Sequence, residues 1–242
     1  MAQSYFVWKG IDCRAMGVKL QNPVAIVRPE ERVEHITIPG RSGDLTQLEG
    51  DPEEEEWIYN SYIQTATIMV QGWNRVREVY KWLRGEGYVT FHGEPDRRQK
   101  ARIIGAVTLT KHSRNLDWWV GEVQFYCQPL KEKLAEETVT LNAPGSITAE
   151  GDVAARPLIK VTMSSGQNSF WISSGGKRLD VSGIPTGVVL IDSEVQDVQY
   201  AEGVGLLIAY SEGDFPVLKP GSNAVTGANW TKVEITKRER FL

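Results

Sequence analysis

The sequence predicts a mainly β protein in two parts, an α+β first half and an all-β second half. Apolar and polar residues alternate with a period of two along most of the chain, and clusters of Gly, Pro and Asn interrupt the alternation at short intervals. A single segment changes to a helical period. The 242 residues are 41% hydrophobic and 24% charged, which excludes disordered and collagen-like chains.

The first half contains four candidate strands. The segment from Val33 to Ile38 has one mostly apolar face and one mixed face, and His35 is expected to be a half-buried structural residue on it. The other three strands are each expected to bury one face and expose the other. The residues on the three buried faces are Ala66, Ile68 and Val70; Ile103, Gly105, Val107 and Leu109; Trp119, Gly121, Val123, Phe125 and Cys127. Pro129 is expected to end the last of these strands.

One helix is predicted near residues 74–84. Trp73, Val76, Tyr80 and Leu83 recur at spacings of three and four, which places them on one apolar stripe. Asn74 is a candidate N-cap, and glycines 85 and 87 supply the stop. The stripe is expected to pack across a sheet in the α+β half.

The chain changes character between Pro129 and Arg156, so a boundary is expected near residues 130–145, giving units 1–135 and 136–242. Alternation then resumes without a helix, and 173–177 predicts a hairpin turn. Short strands separated by frequent turns predict a β-sandwich or jelly roll. The apolar positions are Ile159, Val161 and Met163; Phe170 and Ile172; Leu179 and Val181; Val189 and Ile191; Val233 and Ile235.

Charge and motif content argue against most chemical functions. The formal net charge is −4, with 18 basic against 18 acidic residues before Ala135 and 9 against 13 from there on, so no general attraction to nucleic acid is expected. No apolar run is long enough to insert in a membrane, and the start carries no secretory signal pattern, so synthesis in the cytoplasm is expected. We predict no catalytic, cofactor-binding or metal-binding residue and no cofactor, because the three histidines lack metal-ligand spacing and the nucleotide-binding and nucleophile-elbow motifs are incomplete.

Three further features leave two interpretations each. Cys13 and Cys127 are expected to be buried thiols, with a single disulfide between them as the alternative. The acidic run from Asp51 to Glu56 is expected to be a solvated loop, with a contact to a basic partner or Ca²⁺ as the alternative. Trp73, Trp82, Trp118 and Trp119 lie on periodic elements and are expected in cores or interfaces, with a sugar-stacking site built from the eight Trp and eight Tyr residues as the alternative.

Five short strings occur in an order that resembles one protein family. They are the IPGRSGDL string at 38–45, VQFYCQP at 123–129, GDVAARPLI at 151–159, LIDS at 190–193 and GDFPVLKPGSN at 213–223. An aromatic opening at 6–10 precedes them. In this order the chain resembles the distal tail protein (Dit) family of long-tailed bacteriophages, and the resemblance covers nearly the whole chain. The family-motif positions are Gly40, Arg41, Gly43, Asp44, Phe125, Pro129, Pro157, Asp192, Phe215, Pro216, Pro220 and Gly221.

The resemblance implies an N-terminal β-sandwich with a flanking helix, whose copies form a six-fold ring, and a C-terminal galectin-like sandwich that projects outward. It implies a structural protein of the virion tail tip rather than an enzyme, made in the host cytoplasm. The implied partners are further copies of the chain, the tail tube protein, the tail-associated hub and tape measure proteins, and a receptor-binding protein.

Candidate residues for an assembly interface are Trp73 and Tyr80 on the helix, and the acidic residues Glu53, Glu54, Glu55 and Glu56. A closed ring needs two different patches on each copy, and the helix and the strand ending at Cys127 are candidates for one patch each. The rival hypothesis is a carbohydrate-binding module that contacts host glycan. The second half contains no His, so the usual galectin sugar-reading set is absent. Cell-wall hydrolysis has no supporting residues.

Overall fold

The computed structural model describes residues 4–48, 50–51, 56–112, 116–201 and 207–242. The chain forms two compact units, Met1–Leu134 together with Leu242, and Ala135–Phe241. The prediction of a mainly β protein is confirmed, because the described residues form many strands, one α-helix and one short 3₁₀ helix.

The described residues of the first unit form eleven strands and the α-helix, α1 (Trp73–Trp82). The strands are β1 (Phe6–Trp8), β2 (Ile11–Asp12), β3 (Val18–Leu20), β4 (Val33–Thr37), β5 (Asp44–Leu48), β6 (Gly50–Asp51), β7 (Glu56–Trp57), β8 (Tyr62–Gln71), β9 (Glu86–Phe91), β10 (Arg97–Lys111) and β11 (Trp118–Lys133). β4 pairs with β5 and β6 pairs with β7 in two separate ribbons.

The main sheet of this unit has the strand order β2-β1-β9-β10-β11-β8-β3 and is curled. In a flat sheet the two outer strands would lie about 29 Å apart, at ~4.8 Å per step. The chain from Asp12 to Val18 can span at most about 21 Å. Two backbone hydrogen bonds bring β3 close to the β1–β2 end of the sheet. The Cys13 N–H donates to the Phe6 carbonyl and the Val18 N–H donates to the Cys13 carbonyl, both at 2.9 Å. The sheet therefore encloses its core from both sides, as a sandwich does.

Aromatic residues fill this core and fix the helix to the sheet. Phe6 and Trp8 on β1 and Phe125 on β11 are fully buried. The Phe6 ring meets the Phe125 ring edge-on at 5.4 Å and stacks on Trp82 at 5.6 Å. Trp82 Nε1 donates to the Trp8 carbonyl at 3.3 Å, so the last residue of α1 is held by both packing and a hydrogen bond.

The helix differs from its prediction in two respects. Its buried face consists of Val76, Val79 and Trp82, followed by Leu83, whereas Trp73 and Tyr80 are exposed. Asn74 is not the N-cap, because the helix begins at Trp73, after Gly72. The Trp73 N–H is instead directed at Asp117 Oδ2, at 3.3 Å, from the residue before β11.

Two strand predictions in this unit are also corrected at bulges. The pairing of β10 with β11 shifts between Ile104 and Thr108, and Gly105 takes a φ of 67° there, so it leaves the apolar face it was expected to share. Pro129 does not end β11, because a second register shift between Gln99 and Ala101 of β10 lies opposite it. A bulge accommodates a residue that lacks an N–H, and the strand continues to Lys133. The buried faces predicted for β8 and the centre of β11 are confirmed.

In the second unit, the residues that the structure describes form eleven strands and the 3₁₀ helix at Ile208–Tyr210. The strands are β12 (Thr138–Leu141), β13 (Gly145–Ala149), β14 (Leu158–Met163), β15 (Ser169–Ser174), β16 (Lys177–Ser182), β17 (Val188–Asp192), β18 (Asp197–Tyr200), β19 (Ser211–Gly213), β20 (Gly221–Ala228), β21 (Trp230–Thr236) and β22 (Arg240–Phe241).

Ten of these strands form two five-stranded sheets, β12-β21-β14-β17-β18 and β13-β20-β15-β16-β19. One hydrophobic core draws side chains from both sheets, including Ile159 and Ile235 from the first and Ile172 and Leu179 from the second. The β-sandwich prediction and its alternating apolar positions are thereby confirmed. The predicted hairpin turn joins β15 to β16 through two glycines with positive φ, 62° and 85°.

Candidate assembly surfaces

The β4–β5 ribbon, with its connecting turn, is exposed along almost its whole length and is called the arm below. All residues from 34 to 47 are exposed. The strands pair in register, with Ile36 opposite Leu45 and Thr37 opposite Asp44. His35 is exposed on β4, near Thr46, so the expectation that it is half-buried is wrong.

The tip of the arm carries the IPGRSGDL string. Gly40 and Gly43 have φ values of 82° and 81°, a conformation that residues with a Cβ rarely adopt. The Arg41 N–H donates to the Ile38 carbonyl at 3.1 Å, and the Thr37 hydroxyl donates to Asp44 Oδ1 at 2.9 Å. The string therefore encodes a defined turn, and its four family-motif positions lie together.

The arm is an unusual structure for an isolated chain. A two-stranded ribbon is marginally stable in water at best, because neither face is covered. Here Ile36, Ile38 and Leu45 are 36–44% exposed. A ribbon with apolar residues and uncovered faces is suited to dock on another protein surface.

A second exposed apolar area lies at the edge of α1. Trp73 is 51% exposed and its ring lies 5.1 Å from the half-buried ring of Trp119. Tyr80 is exposed about two turns further along the helix, and its hydroxyl accepts a hydrogen bond from the Leu109 N–H at 3.2 Å. The structure thus places both predicted helix residues on the surface, with Trp73 as the larger apolar contribution.

The acidic residues predicted as part of an interface are only partly described. Glu53, Glu54 and Glu55 lie outside the described residues. Glu56 belongs to β7, where its backbone pairs with Asp51 of β6.

Family-motif residues near the end of the first unit have structural roles. Phe125 is a core residue, and Pro129 sits opposite the bulge described above. Cys13 and Cys127 are both buried and free, which confirms the thiol interpretation. Burial raises the pKa of the Cys127 thiol to about 12, so it is protonated at neutral pH.

In the second unit, Asp192 and Pro157 lie where β14 and β17 pair. Burial acts to raise the pKa of Asp192, but hydrogen bonds from Arg238 and from the Glu194 N–H outweigh it and the pKa is lowered. The Arg238 guanidinium donates to both carboxylate oxygens, at 2.7 and 3.0 Å. The Pro157 carbonyl accepts the Ser193 N–H at 3.1 Å. These family-motif residues stabilise a strand end.

The last string builds a turn before β20. Asn223 is buried; its Oδ1 accepts the Lys219 N–H at 2.8 Å, and its Nδ2 donates to the carbonyls of Lys219 and Gly221. Gly221 has a φ of 90°, and Pro220 is exposed beside it. Phe215 packs against the core, and the next residue, Pro216, is buried.

In the sandwich of the second unit, the contacts of Trp171 bear on whether its ring could stack against a sugar. The Arg178 guanidinium lies over its ring at 4.2 Å and also donates to Asp180 at 2.6 and 2.7 Å. One ring face is therefore covered by a paired cation, which disfavours use of that face as a sugar platform.

The described ranges contain no group of three or more His, Cys, Asp or Glu residues that could hold a metal ion. No helix within them is long and apolar enough to cross a membrane.

No protein-family model and no curated protein matches this sequence. Among solved structures, the chain is similar to the SPP1 Dit protein (gp 19.1), described as a paradigm of the hub adsorption apparatus in phages that infect Gram-positive bacteria. The TM-score is 0.75 at 19% identity, over 100% of both chains. The phage P2 baseplate in its activated conformation with Ca gives a TM-score of 0.47 at 8% identity, over 100% of both chains. The chain therefore shares the fold of the SPP1 protein along its whole length.

Proposed function

We propose that this chain is a distal tail protein of a long-tailed bacteriophage. Copies of it form a hexameric ring at the tail tip that joins the tail tube to the baseplate, receptor-binding or tail-fibre machinery. Its role is structural rather than catalytic. Residues 1–135 form the ring, and residues 136–242 form a separate β-sandwich domain.

The fold supports this proposal over the whole chain. The SPP1 Dit protein is similar from end to end, so both units are accounted for rather than one common sandwich. The motif strings occur in the family's order in the same chain. A fold can host several functions, and the exposed surfaces are therefore needed to argue the role.

The arm is the observation that carries the ring assignment. A closed ring is built from one patch on each copy that contacts a different patch on the next. The arm extends apolar residues that its own ribbon cannot cover. The area around Trp73 and Trp119 is an exposed apolar surface of the same unit. These two surfaces supply the two different patches that a ring requires.

The ring is tested by light scattering coupled to size exclusion and by negative-stain microscopy, on the chain alone and mixed with its tail tube protein. We expect six-fold rings in at least one condition. Monomers in both conditions would contradict the proposal.

The arm is tested with the double substitution Ile36→Thr and Leu45→Thr. Both side chains are exposed and face each other across the ribbon, and Thr keeps the β preference while it removes apolar surface. We expect an unchanged melting temperature and a shift from rings to monomers. The matched control is Val195→Thr, because Val195 is 69% exposed in the second unit, and it should leave the rings intact.

A further inference from the structure

A cleft of about 220 Å³ lies where the β2–β3 turn meets the ends of β8 and the starts of α1 and β11. It is called the basic cleft below. Arg14, Lys19 and Arg75 line it, together with Gly17, Gln71 and Trp118. Three of its side chains are cations and none is a carboxylate, so the cleft has a positive potential.

Two of these cations have no anionic partner in the part of the chain that the structure describes. Arg14 is neutralised by Asp12, whose carboxylate accepts its Nε at 3.0 Å. Lys19 and Arg75 form no ion pair there, and Lys19 Nζ lies 5.3 Å from the centre of the Trp118 ring. Two uncompensated cations beside an aromatic wall are suited to a carboxylate-bearing peptide.

The local sequence builds the cleft around Arg75. Gly17 has a φ of 69°, and a Cβ at this position would collide with Arg75 Nη1. The absence of a side chain at Gly17 therefore leaves room for the guanidinium. Asp117 receives the Trp73 N–H and so fixes the first turn of α1, which carries Arg75.

We propose that the basic cleft binds the acidic segment Asp51–Glu56 of a neighbouring copy of the chain. This inference rests on the proposed ring. The segment carries five carboxylates within six residues, the densest negative charge in the sequence, and is matched in sign to the cleft. The first unit carries equal numbers of basic and acidic residues, so copies meet without net repulsion. Because each copy carries both cleft and segment, the contact is heterologous and repeats around a closed ring.

A peptide with the sequence of residues 50–57 tests the recognition without any ring. The receptor is the full chain with Glu53, Glu54 and Glu55 each changed to Gln, so that its own segment does not compete. We expect saturable binding by calorimetry that weakens as salt rises. A peptide with Gln in place of its four Glu residues should not bind.

The cleft is tested in the same receptor with Lys19→Glu and Arg75→Glu. Binding should weaken about tenfold or more, which is the change that about 1.4 kcal/mol produces. Both residues are exposed, and an acidic residue in the first turn of a helix is favourable, so the fold should be retained. The control is Arg77→Glu with Lys81→Glu, two exposed cations of α1 outside the cleft lining. Absence of binding, or equal loss in the control, would overturn the inference.

Ring formation identifies the source of the segment. In the otherwise unaltered chain, Lys19→Glu with Arg75→Glu should lose rings, and adding Glu53→Lys, Glu54→Lys and Glu55→Lys should restore them. Intact rings in the double variant would overturn the assignment to a neighbouring copy and, if the peptide binds, would indicate an acidic segment of another protein. If the unaltered chain never forms rings, the proposed function is contradicted. The peptide experiment tests separately whether the basic cleft binds the acidic segment.

Discussion

The ion pair of Asp192 with Arg238 gives a pH-dependent contribution to stability. The lowered pKa of Asp192 means that the pair stabilises the fold above the carboxyl's ordinary pKa near 4, and that this contribution is lost as pH falls through the lower folded-state pKa. We expect Asp192→Asn to reduce the free energy of unfolding by about 2 kcal/mol at pH 7. The difference should disappear at acidic pH, measured by urea denaturation across pH.

The control for this prediction is Asp180→Asn. Asp180 also pairs with an arginine, but its side chain is 45% exposed, compared with 21% for Asp192. An exposed pair contributes little because water and salt screen it, so its loss should change stability much less. Equal effects at both sites would contradict the assignment.

At the residue scale, the sequence predicted those features that depend only on neighbouring residues in the chain. The turn at Gly175 and Gly176 follows from two residues that tolerate positive φ, and it is present. The exposure of His35 could not be predicted, because alternation says which residues share a face and not whether another sheet covers that face. The one available hint was that each face of β4 carries a polar residue, Glu34 on one face and His35 on the other.

At the element scale, the helix shows the same division between local and distant causes. Its period located the segment, but Trp73 and Tyr80 compete in sequence with Val76 and Val79 for the buried face. Packing against the sheet selects Val76, Val79 and Trp82 for that face. The basic cleft was not predicted either, since Lys19, Arg75 and Trp118 come from three distant elements and share no motif.

The distant cap of α1 provides a prediction at this scale. The Asp117 carboxylate accepts the Trp73 N–H at 3.3 Å and the Trp119 indole N–H at 2.9 Å. Asp117→Ala should therefore destabilise the first unit by about 1 kcal/mol, the usual cost of losing a helix cap. Asn74→Ala is the matched control and should have little effect, because the helix has no side-chain cap of its own. Thermal unfolding of both variants measures the difference, and a larger loss for Asn74→Ala would refute the distant cap.

At the scale of the whole molecule, the two units differ in what they leave uncovered. The first unit has an arm whose residues 34–47 are all exposed and an exposed Trp73, and its charges balance. The second unit encloses one core between two sheets and carries the net charge of −4. Apolar exposure favours self-association, whereas net charge opposes it.

These differences assign ring formation to one unit, and truncation tests the assignment. Residues 1–135 expressed alone should form rings of the same symmetry as the full chain, because the arm, the Trp73 area and the basic cleft all belong to that unit. Residues 136–242 alone should stay monomeric, because most of their large apolar side chains are buried in one core and like net charges repel. Light scattering gives both masses, and circular dichroism verifies that each piece is folded. A folded first unit that remains monomeric while the full chain forms rings would show that the second unit supplies a necessary contact.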